Sequence, residues 1–530
     1  MNAVDVSDAA EGERRELESL PDALLLLIFS YLQQPALGRS LAVSMRWGQL
    51  ASDDQLWRAV CDAKYGLKEP KRGDGTGCVI FLEAARSWSR VASSVLGRPA
   101  DEPMPALAPL WLRTNSMWAS IVGWAEKHLP DAAASIAPGA SQGEWTATLG
   151  RLDLDLSPTH EPLLALRLLY AVHDGQRNAF DAKSAARELT RGSFGPRDLC
   201  QELEAAAATW FGNGSTSGAA GPDPESLPFI GLGGGFSAYD QHPCVRLLPL
   251  SLLTAWTLFM RNQVELPPTT VVAACSYDLR RVLCYDLESG DLMFGHVQGR
   301  PALQGRPAVQ VGALRMLRAV PTEAARGHDL LLWLEELARR LGDGVYQASP
   351  LIPLEPLTKG VCLFPQDGPK LSTCVTRGIR VTSSSVFAPE MGTHVYSIRL
   401  KLLSPFEEGY QSAEQRGFVT AQLHTRHWVL RQSDGSAELV DGDGVVGRFP
   451  LLREGGWRED RQTDASGRIG AGEEEEGLFI YQSMSGRGGT ISFEGHIMFV
   501  PGSLRQPRGE EFAVAVARFP LVCEPADYVF

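Results

Sequence analysis

The run Ala23–Phe29 contains no polar side chain, and no other stretch constrains the fold of this chain as strongly. Ser19 and Asp22 have the Ser-x-x-Asp spacing of a capping box, and Pro21 falls where its missing N–H costs nothing, so the spacing predicts a helix starting here. A helix that is apolar on every face is normally buried on all sides. The flanks are polar, and the apolar stripes that follow (Leu37, Leu41, Val43, then Trp47, Leu50, Leu56 and Trp57) can cover only one side. The other side requires a partner.

With 530 residues, 44% of them hydrophobic, the chain can bury substantial cores, and its length suggests about three domains. A net charge of −13 argues against nonspecific binding to nucleic acid or to an anionic membrane. The opening MNAVDVSDAAEGERREL is polar and lacks a signal-peptide core, and no apolar run approaches the ~18–20 residues that span a bilayer. The nine cysteines include no CxxC pair, which favours reduced thiols and a cytoplasmic or nuclear location.

Leu20-Pro21, the face formed by Leu24, Leu25, Ile28, Phe29 and Leu32, the Val43-Ser44 and Arg46-Trp47 pairs and the closing Leu56-Trp57 follow one another at the spacing of an F-box. The segment resembles that family. The resemblance implies that the first helices dock into the Skp-type adaptor of an SCF cullin–RING ubiquitin ligase, an amphipathic helix-in-groove contact. It assigns adaptor binding to Leu20, Pro21, Leu24, Leu25, Ile28, Phe29, Leu32, Val43, Trp47, Leu56 and Trp57. Each fully buried Leu or Ile contributes roughly 1.5–3 kcal/mol, so four or five of them supply most of a tight interface before ordering costs.

Past a Gly- and charge-rich connector, Phe81 to Leu96 is expected to be helical. A second domain then begins with a helix carrying Trp111, Trp118, Ile121 and Trp124 and ending at Leu129-Pro130. Those tryptophans are expected to fill a core rather than to form a partner surface. A helix at Leu163–Val172, a Gly/Ser-rich loop at 212–221, strands in FIGLGGGFSAYD, VRLLPLS, TVVAACSY, RRVLCYDL and DLMFG, and an amphipathic helix at Asp329–Leu341 follow. Cys275 and Cys284 flank a turn and are expected to be buried thiols. The order of elements, with Leu168-Leu169-Tyr170, His173-Asp174-Gly175 and Phe236–Asp240, resembles the SUKH superfamily. That likeness implies a protein-binding scaffold with no catalytic residues.

RGIRVTSSSVFAPE, THVYSIRLKLLS, FVTAQLHTRHWVLRQSDGSAELVDGDGVVGRFPLL, GGTISFEGHIMFV and EEFAVAVARFPL alternate apolar and polar residues at the intervals of a β-sandwich. With Gly378-Ile379, Arg426-His427-Trp428, Gly444-Val445-Val446-Gly447 and Pro450-Leu451-Leu452, this part resembles an ApaG domain, with an inserted, solvated acidic loop at roughly 458–477. Gly442 to Gly447 also fits GxGxxG, but no helix follows to present amide N–H groups to a pyrophosphate, so these glycines are expected to shape turns. His424 and His427 have no further ligand near them in sequence, and no nucleophile elbow, Walker loop or HExxH is present. The closing Asp527-Tyr-Val-Phe530 is expected to fray, with a carboxylate-recognition tail as the alternative.

The expected organisation is multidomain α+β. It runs as a disordered tail (1–16), a helical F-box (17–67), a connector and helix (68–104), an α+β SUKH-like domain (105–345) and an all-β immunoglobulin/fibronectin-like ApaG sandwich (355–525). This order resembles a eukaryotic F-box family, which implies a non-catalytic substrate receptor for protein ubiquitination, needing no cofactor or metal, with an unknown client protein. The alternative is a ligand-sensing adaptor whose ApaG domain binds a phosphate-containing small molecule. Arg426, His427, Trp428 and Arg448 are the candidate ligand or client contacts under these readings.

Overall fold

The computed structural model describes residues 17, 19–97, 103–176, 229–239, 242–263, 266–276, 281–296, 315–389, 391–460, 471–484, 489–523 and 527–530. The expected disordered tail (1–16) and the Gly/Ser-rich loop lie outside them. The chain forms two compact units: Met1–Ser116 with Ala140–Thr146 and Asp155–Val172, and Met117–Gly139 with Ala147–Leu154 and His173–Phe530.

The first unit is helical. Helices α1 (Asp22–Ser30), α2 (Gln34–Ser40), α3 (Met45–Ala51) and α4 (Asp54–Tyr65) follow one another closely, and α5 (Phe81–Leu96) packs along α4. Asp54 at the start of α4 also serves the start of α5, accepting the Phe81 N–H at 2.6 Å. Tyr65 donates to Gln34 (2.6 Å) and Trp88 to the Lys71 carbonyl (2.8 Å), so the aromatic anchors of this core have their polar ends satisfied. Next come α6 (Leu107–His128), α7 (Pro130–Ala134), α8 (Gln142–Leu152) and α9 (Glu161–Val172). Arg167 of α9 is only 3% exposed and donates to the Val95 and Ala140 carbonyls at 2.9 and 3.2 Å, which offsets part of the cost of burying a cation. The compact units divide within α6, after Ser116.

The second unit takes the rest of α6 from Met117, all of α7 and the later part of α8, and adds a two-stranded piece, β1 (Ile136–Pro138) paired with β2 (His173–Gln176). Trp118 is 3% exposed and meets His173 edge-on at 4.9 Å, as a core tryptophan should, whereas Trp111 and Trp124 are half-buried. An eight-stranded sheet follows, made of β3 (Gly234–Gly235), β4 (Cys244–Leu247), β5 (Thr270–Ser276), β6 (Val282–Asp286), β7 (Leu292–His296), β8 (Arg315–Arg318), β9 (Gln347–Pro350) and β10 (Lys359–Cys362), in the order 8-7-6-5-4-3-10-9. Helices α10 (Leu250–Gln263), which packs on β5, and α11 (Asp329–Gly342) belong with it. The long expected strand around Phe236 shrinks to Gly234–Gly235, and VRLLPLS ends its strand at Leu247 to start α10. Cys275 and Cys284 are buried in β5 and β6, and burial pushes the Cys284 thiol up to about 12.

Strand β10 corrects the expected border at 355. Cys362 pairs in parallel with Gly235, and Lys359–Cys362 pairs antiparallel with β9, so this strand completes the middle sheet. Its alternating residues read the same in either sheet, which is why pattern alone misassigned it. The sandwich itself starts at β11 (Leu371–Thr376). One sheet holds β11, β12 (Ile379–Ala388), β13 (Thr393–Leu402) and β19 (Phe479–Met484), with a short α12 (Ala413–Arg416) after β13. The other holds β14 (Ala421–Gln432), β15 (Ala437–Asp443), β16 (Pro450–Arg453), β17 (Gly456–Asp460), β18 (Ala471–Glu476), β20 (Thr490–Pro501) and β21 (Phe512–Pro520). Ile398, Leu400, Leu423, Trp428, Trp457, Phe493 and Phe499 fill the space between them.

The acidic insertion is not a loop where it is described. Gly456, Trp457 and Arg458 of β17 face Glu476, Glu475 and Glu474 of β18 in register, and β18 is the sheet's edge strand. A glutamate-rich strand at an open edge discourages pairing with a second sheet. Asp527–Phe530 is likewise neither frayed nor a free tail: Val529 and Phe530 are 5% and 3% exposed.

His394 in β13 lies tilted against Phe387 (5.1 Å between ring centroids) and is pushed down to about 4, by burial first and then by the nearby Lys370 ammonium. The fold therefore holds the neutral ring. Its contribution to stability is full above the ordinary value of 6.5 and falls away as the pH drops from there toward 4, by on the order of 1–3 kcal/mol. Denaturation midpoints measured between pH 7 and 4 should fall less steeply in His394→Gln than in the parent; parallel profiles would remove this assignment.

Candidate functional site

Helix α1 sorts its apolar residues into two faces. Leu25 (0% exposed) and Phe29 (1%) turn inward, and Phe29 meets Trp47 edge-on at 5.2 Å. Trp57 is also internal, 2% exposed with its indole N–H on the Ala51 carbonyl at 2.7 Å. These three side chains hold the helices together and have no surface to offer a partner. That corrects their assignment as adaptor contacts.

The other face stays bare. Leu24, Leu27, Ile28 and Tyr31 are 46%, 52%, 40% and 81% exposed, and Met45 at the start of α3 is 87% exposed. Leu24, Leu27, Ile28 and Tyr31 follow the i, i+3, i+4, i+7 spacing of one helical stripe. Leu27, Tyr31 and Met45 were missed in the sequence, where Leu24 and Leu25 were grouped on one face although adjacent residues lie about 100° apart. Leu20, Leu32, Val43, Trp47 and Leu56 are half-buried at the margins, and Pro21 is exposed. Between α1 and α4 lies an open groove of about 710 Å³, lined by Leu26, Leu27, Leu32, Leu56, Ala59 and Val60 among others.

The entry to α1 differs from the capping box expected of Ser19 and Asp22. Pro21 is the N-cap and, lacking a polar side chain, makes no cap bond, while Asp22 pairs with Arg46 at 2.6 Å and the same guanidinium donates to the Leu20 carbonyl at 2.5 Å. Arg46 thereby ties α3 to the start of α1 and sets the angle at which the stripe is presented. Its neighbour Ser44 caps α3 by accepting the Trp47 N–H at 3.2 Å.

On the sandwich, the candidate contacts are already engaged within the fold. Arg426 donates to the Asp443 and Gly444 carbonyls at 3.0 and 2.7 Å, and a Cβ on Gly442 would stand 2.8 Å from its guanidinium. Val446 and Gly447, both with positive φ, form the tight turn between Val445 and Arg448, which exchange two backbone bonds of 2.9 Å. The GxGxxG glycines thus shape a hairpin and seat an arginine, as expected of a motif with no helix after it. Arg448 faces Glu459 at 3.3 Å, and Trp428 is 3% exposed in the core, which withdraws it as a surface contact. His427 stacks on His496 (4.8 Å) with Nδ1 on Asp441 (2.8 Å) and Nε2 on Thr425 (3.1 Å), while His424 pairs with Glu511 at 2.9 Å. Among the described residues no group of His, Cys, Asp and Glu is placed to hold a metal, and no helix is long and apolar enough to cross a membrane.

Residues 17–63 match the F-box-like family and residues 387–458 the ApaG domain family. The chain is 29% identical over 531 residues, 97% of its own length and all of the relative's, to F-box protein SKIP16 of Arabidopsis thaliana. It is 38% identical over 88 residues to Protein ApaG of Anaeromyxobacter dehalogenans (strain 2CP-C), covering 62% of that protein. It is 36% identical over 95 residues to Protein ApaG of Pseudomonas paraeruginosa (strain DSM 24068 / PA7), covering 71% of it. A helical module similar to the F-box-like family, bearing a bare apolar stripe, precedes a two-sheet sandwich through which the chain belongs to the ApaG family.

Proposed function

We propose that this chain is the substrate-recognition subunit of an SCF-type ubiquitin ligase. The stripe Leu24, Leu27, Ile28 and Tyr31, with Met45 and the adjoining groove, docks the Skp-type adaptor and through it the cullin–RING scaffold. The sandwich and the middle domain, whose order of elements is similar to the SUKH superfamily, capture the client. The observation that carries this reading is the division of α1 into a sealed face and an uncovered one. A contiguous apolar surface of this kind on a helix is the mark of helix-in-groove association.

In this role the chain breaks no bond itself. It raises the local concentration of client lysines near the charged ubiquitin carrier, so its rate gain is that of proximity. The ligand-sensing alternative finds no support in the geometry, because Arg426 and Arg448 already have acceptors inside the sandwich.

The test is direct. The purified full chain is mixed with a purified Skp-type adaptor and run through size exclusion and calorimetry. A one-to-one complex with sub-micromolar affinity is expected. Failure to co-elute at roughly 10 µM of each protein would rule the reading out, since such a complex should then be nearly fully formed.

A further inference from the structure

The segment Asp527–Phe530, reached after the last sandwich strand β21, lies in a pocket of the middle domain as a bound peptide would. The Val529 N–H donates to the Ala319 carbonyl at 3.0 Å, and the Val529 carbonyl accepts the Trp333 indole N–H at 2.7 Å. The Phe530 carbonyl oxygen accepts from Arg281 at 2.9 Å. Around the Phe530 ring stand Trp333 (5.0 Å between centroids), Tyr346 edge-on (5.6 Å) and the Arg340 guanidinium (4.7 Å). Asp527 pairs with Lys370 at 2.7 Å.

The groups that hold this segment are fixed independently of it. Arg340 is oriented by Glu336 and the Tyr346 hydroxyl (2.7 and 2.6 Å), and Arg281 lies over the Phe236 ring at 4.8 Å. Trp333 belongs to α11, and Tyr346 stands just before β9 under the Arg340 guanidinium at 5.4 Å. Two preset donors for backbone carbonyls, one acceptor for an N–H and an aromatic–guanidinium box make up a peptide-recognition site: the main chain supplies affinity and the box supplies selectivity.

We propose that the pocket of Arg281, Ala319, Trp333, Arg340 and Tyr346 is a peptide-binding site, filled in cis by Asp527–Phe530, that also takes a client segment with an aliphatic–aromatic pair two residues after an acidic one. That the incoming segment belongs to a client rests on the receptor reading; the binding does not, and it is measured without adaptor. A tethered segment is present at an effective concentration in the millimolar range, so an incoming peptide must displace it. The tether therefore sets a threshold for capture.

The probe is a fluorescein-labelled peptide of residues 524–530, EPADYVF, followed by anisotropy against the full chain. Val529→Ser with Phe530→Ser empties the pocket, and this variant should bind the probe saturably, at least roughly tenfold more tightly than the parent. Adding Arg340→Met, or changing the probe's phenylalanine to serine, should remove that binding. A folded double variant that leaves the probe unbound overturns the proposal and reduces the segment to a structural brace. If the double variant loses its thermal transition, amide exchange of Val529 and Phe530 in the parent decides: about 1 mM unlabelled peptide should accelerate it, and unchanged exchange overturns the proposal.

Discussion

Leu24→Asp with Ile28→Asp abolishes capture of the adaptor while the chain's thermal midpoint moves by no more than a few degrees. Both side chains are about half exposed, so the apolar area they still have to bury contributes only about 1 kcal/mol each. The larger effect is the charge. A carboxylate driven into an apolar groove without a partner costs several kcal/mol, and 1.4 kcal/mol is a factor of ten, so the pair should weaken binding by at least about 1000-fold. Folding is largely indifferent, since aspartate in an exposed helix interior costs only about 0.7 kcal/mol. Trp57→Ala should behave in the opposite way. Its indole is sealed and hydrogen-bonded to Ala51, so truncation costs about 3–5 kcal/mol of the first unit's stability. Adaptor binding is then lost through unfolding, visible as an earlier melting transition. Equal melting losses in the two variants would mean that α1 has no free face.

What the sequence made legible was set by periodicity over long elements. Phe81–Leu96 and Asp329–Gly342 fall almost where the apolar spacing put them, because a buried stripe recurring every 3.6 residues over three turns or more suits a helix and no strand. The alternating strands of the sandwich were legible through their period of two. The pairing of β10 was not, since a four-residue strand carries no mark of which sheet it joins. The split of α1 was half legible: a run such as ALLLLIF hides its own phase, and only the inward turn of Leu25 and Phe29 against Trp47 shows which leucines remain outside. Asp527–Phe530 gave least warning of all, because its partners lie some 160–250 residues earlier in the chain and share no pattern with it. Of the candidate contacts on the sandwich, Arg426 and His427 are bonded within the β14–β15 pairing and Arg448 faces Glu459. Arginine and glycine at close spacing suit an anion, and here the same chemistry closes a hairpin.

Gly495→Ala should unfold the second unit at markedly lower temperature and spare the first. Gly495 sits on β20 directly opposite Trp428 of β14, beside a register shift against β21, with φ of 154°. A Cβ built there would lie 2.1 Å from the His427 carbonyl oxygen and 3.0 Å from the Trp428 ring. Neither neighbour can yield cheaply. The carbonyl belongs to the central strand of the sheet, and Trp428 is 3% exposed against Phe493 at 5.0 Å. Strain at such a φ costs on the order of 1–3 kcal/mol, and overpacking adds a similar amount, so about 3–5 kcal/mol is expected. In a unit of this size that lowers the midpoint by several degrees or more. The stripe proposed to bind the adaptor lies in the other compact unit, so capture should persist at 25 °C, and melting and capture report separately on the two halves. A variant melting within about 1 °C of the parent would show that β14 and β20 can separate at this point without cost, which the tightness of the sheet here contradicts.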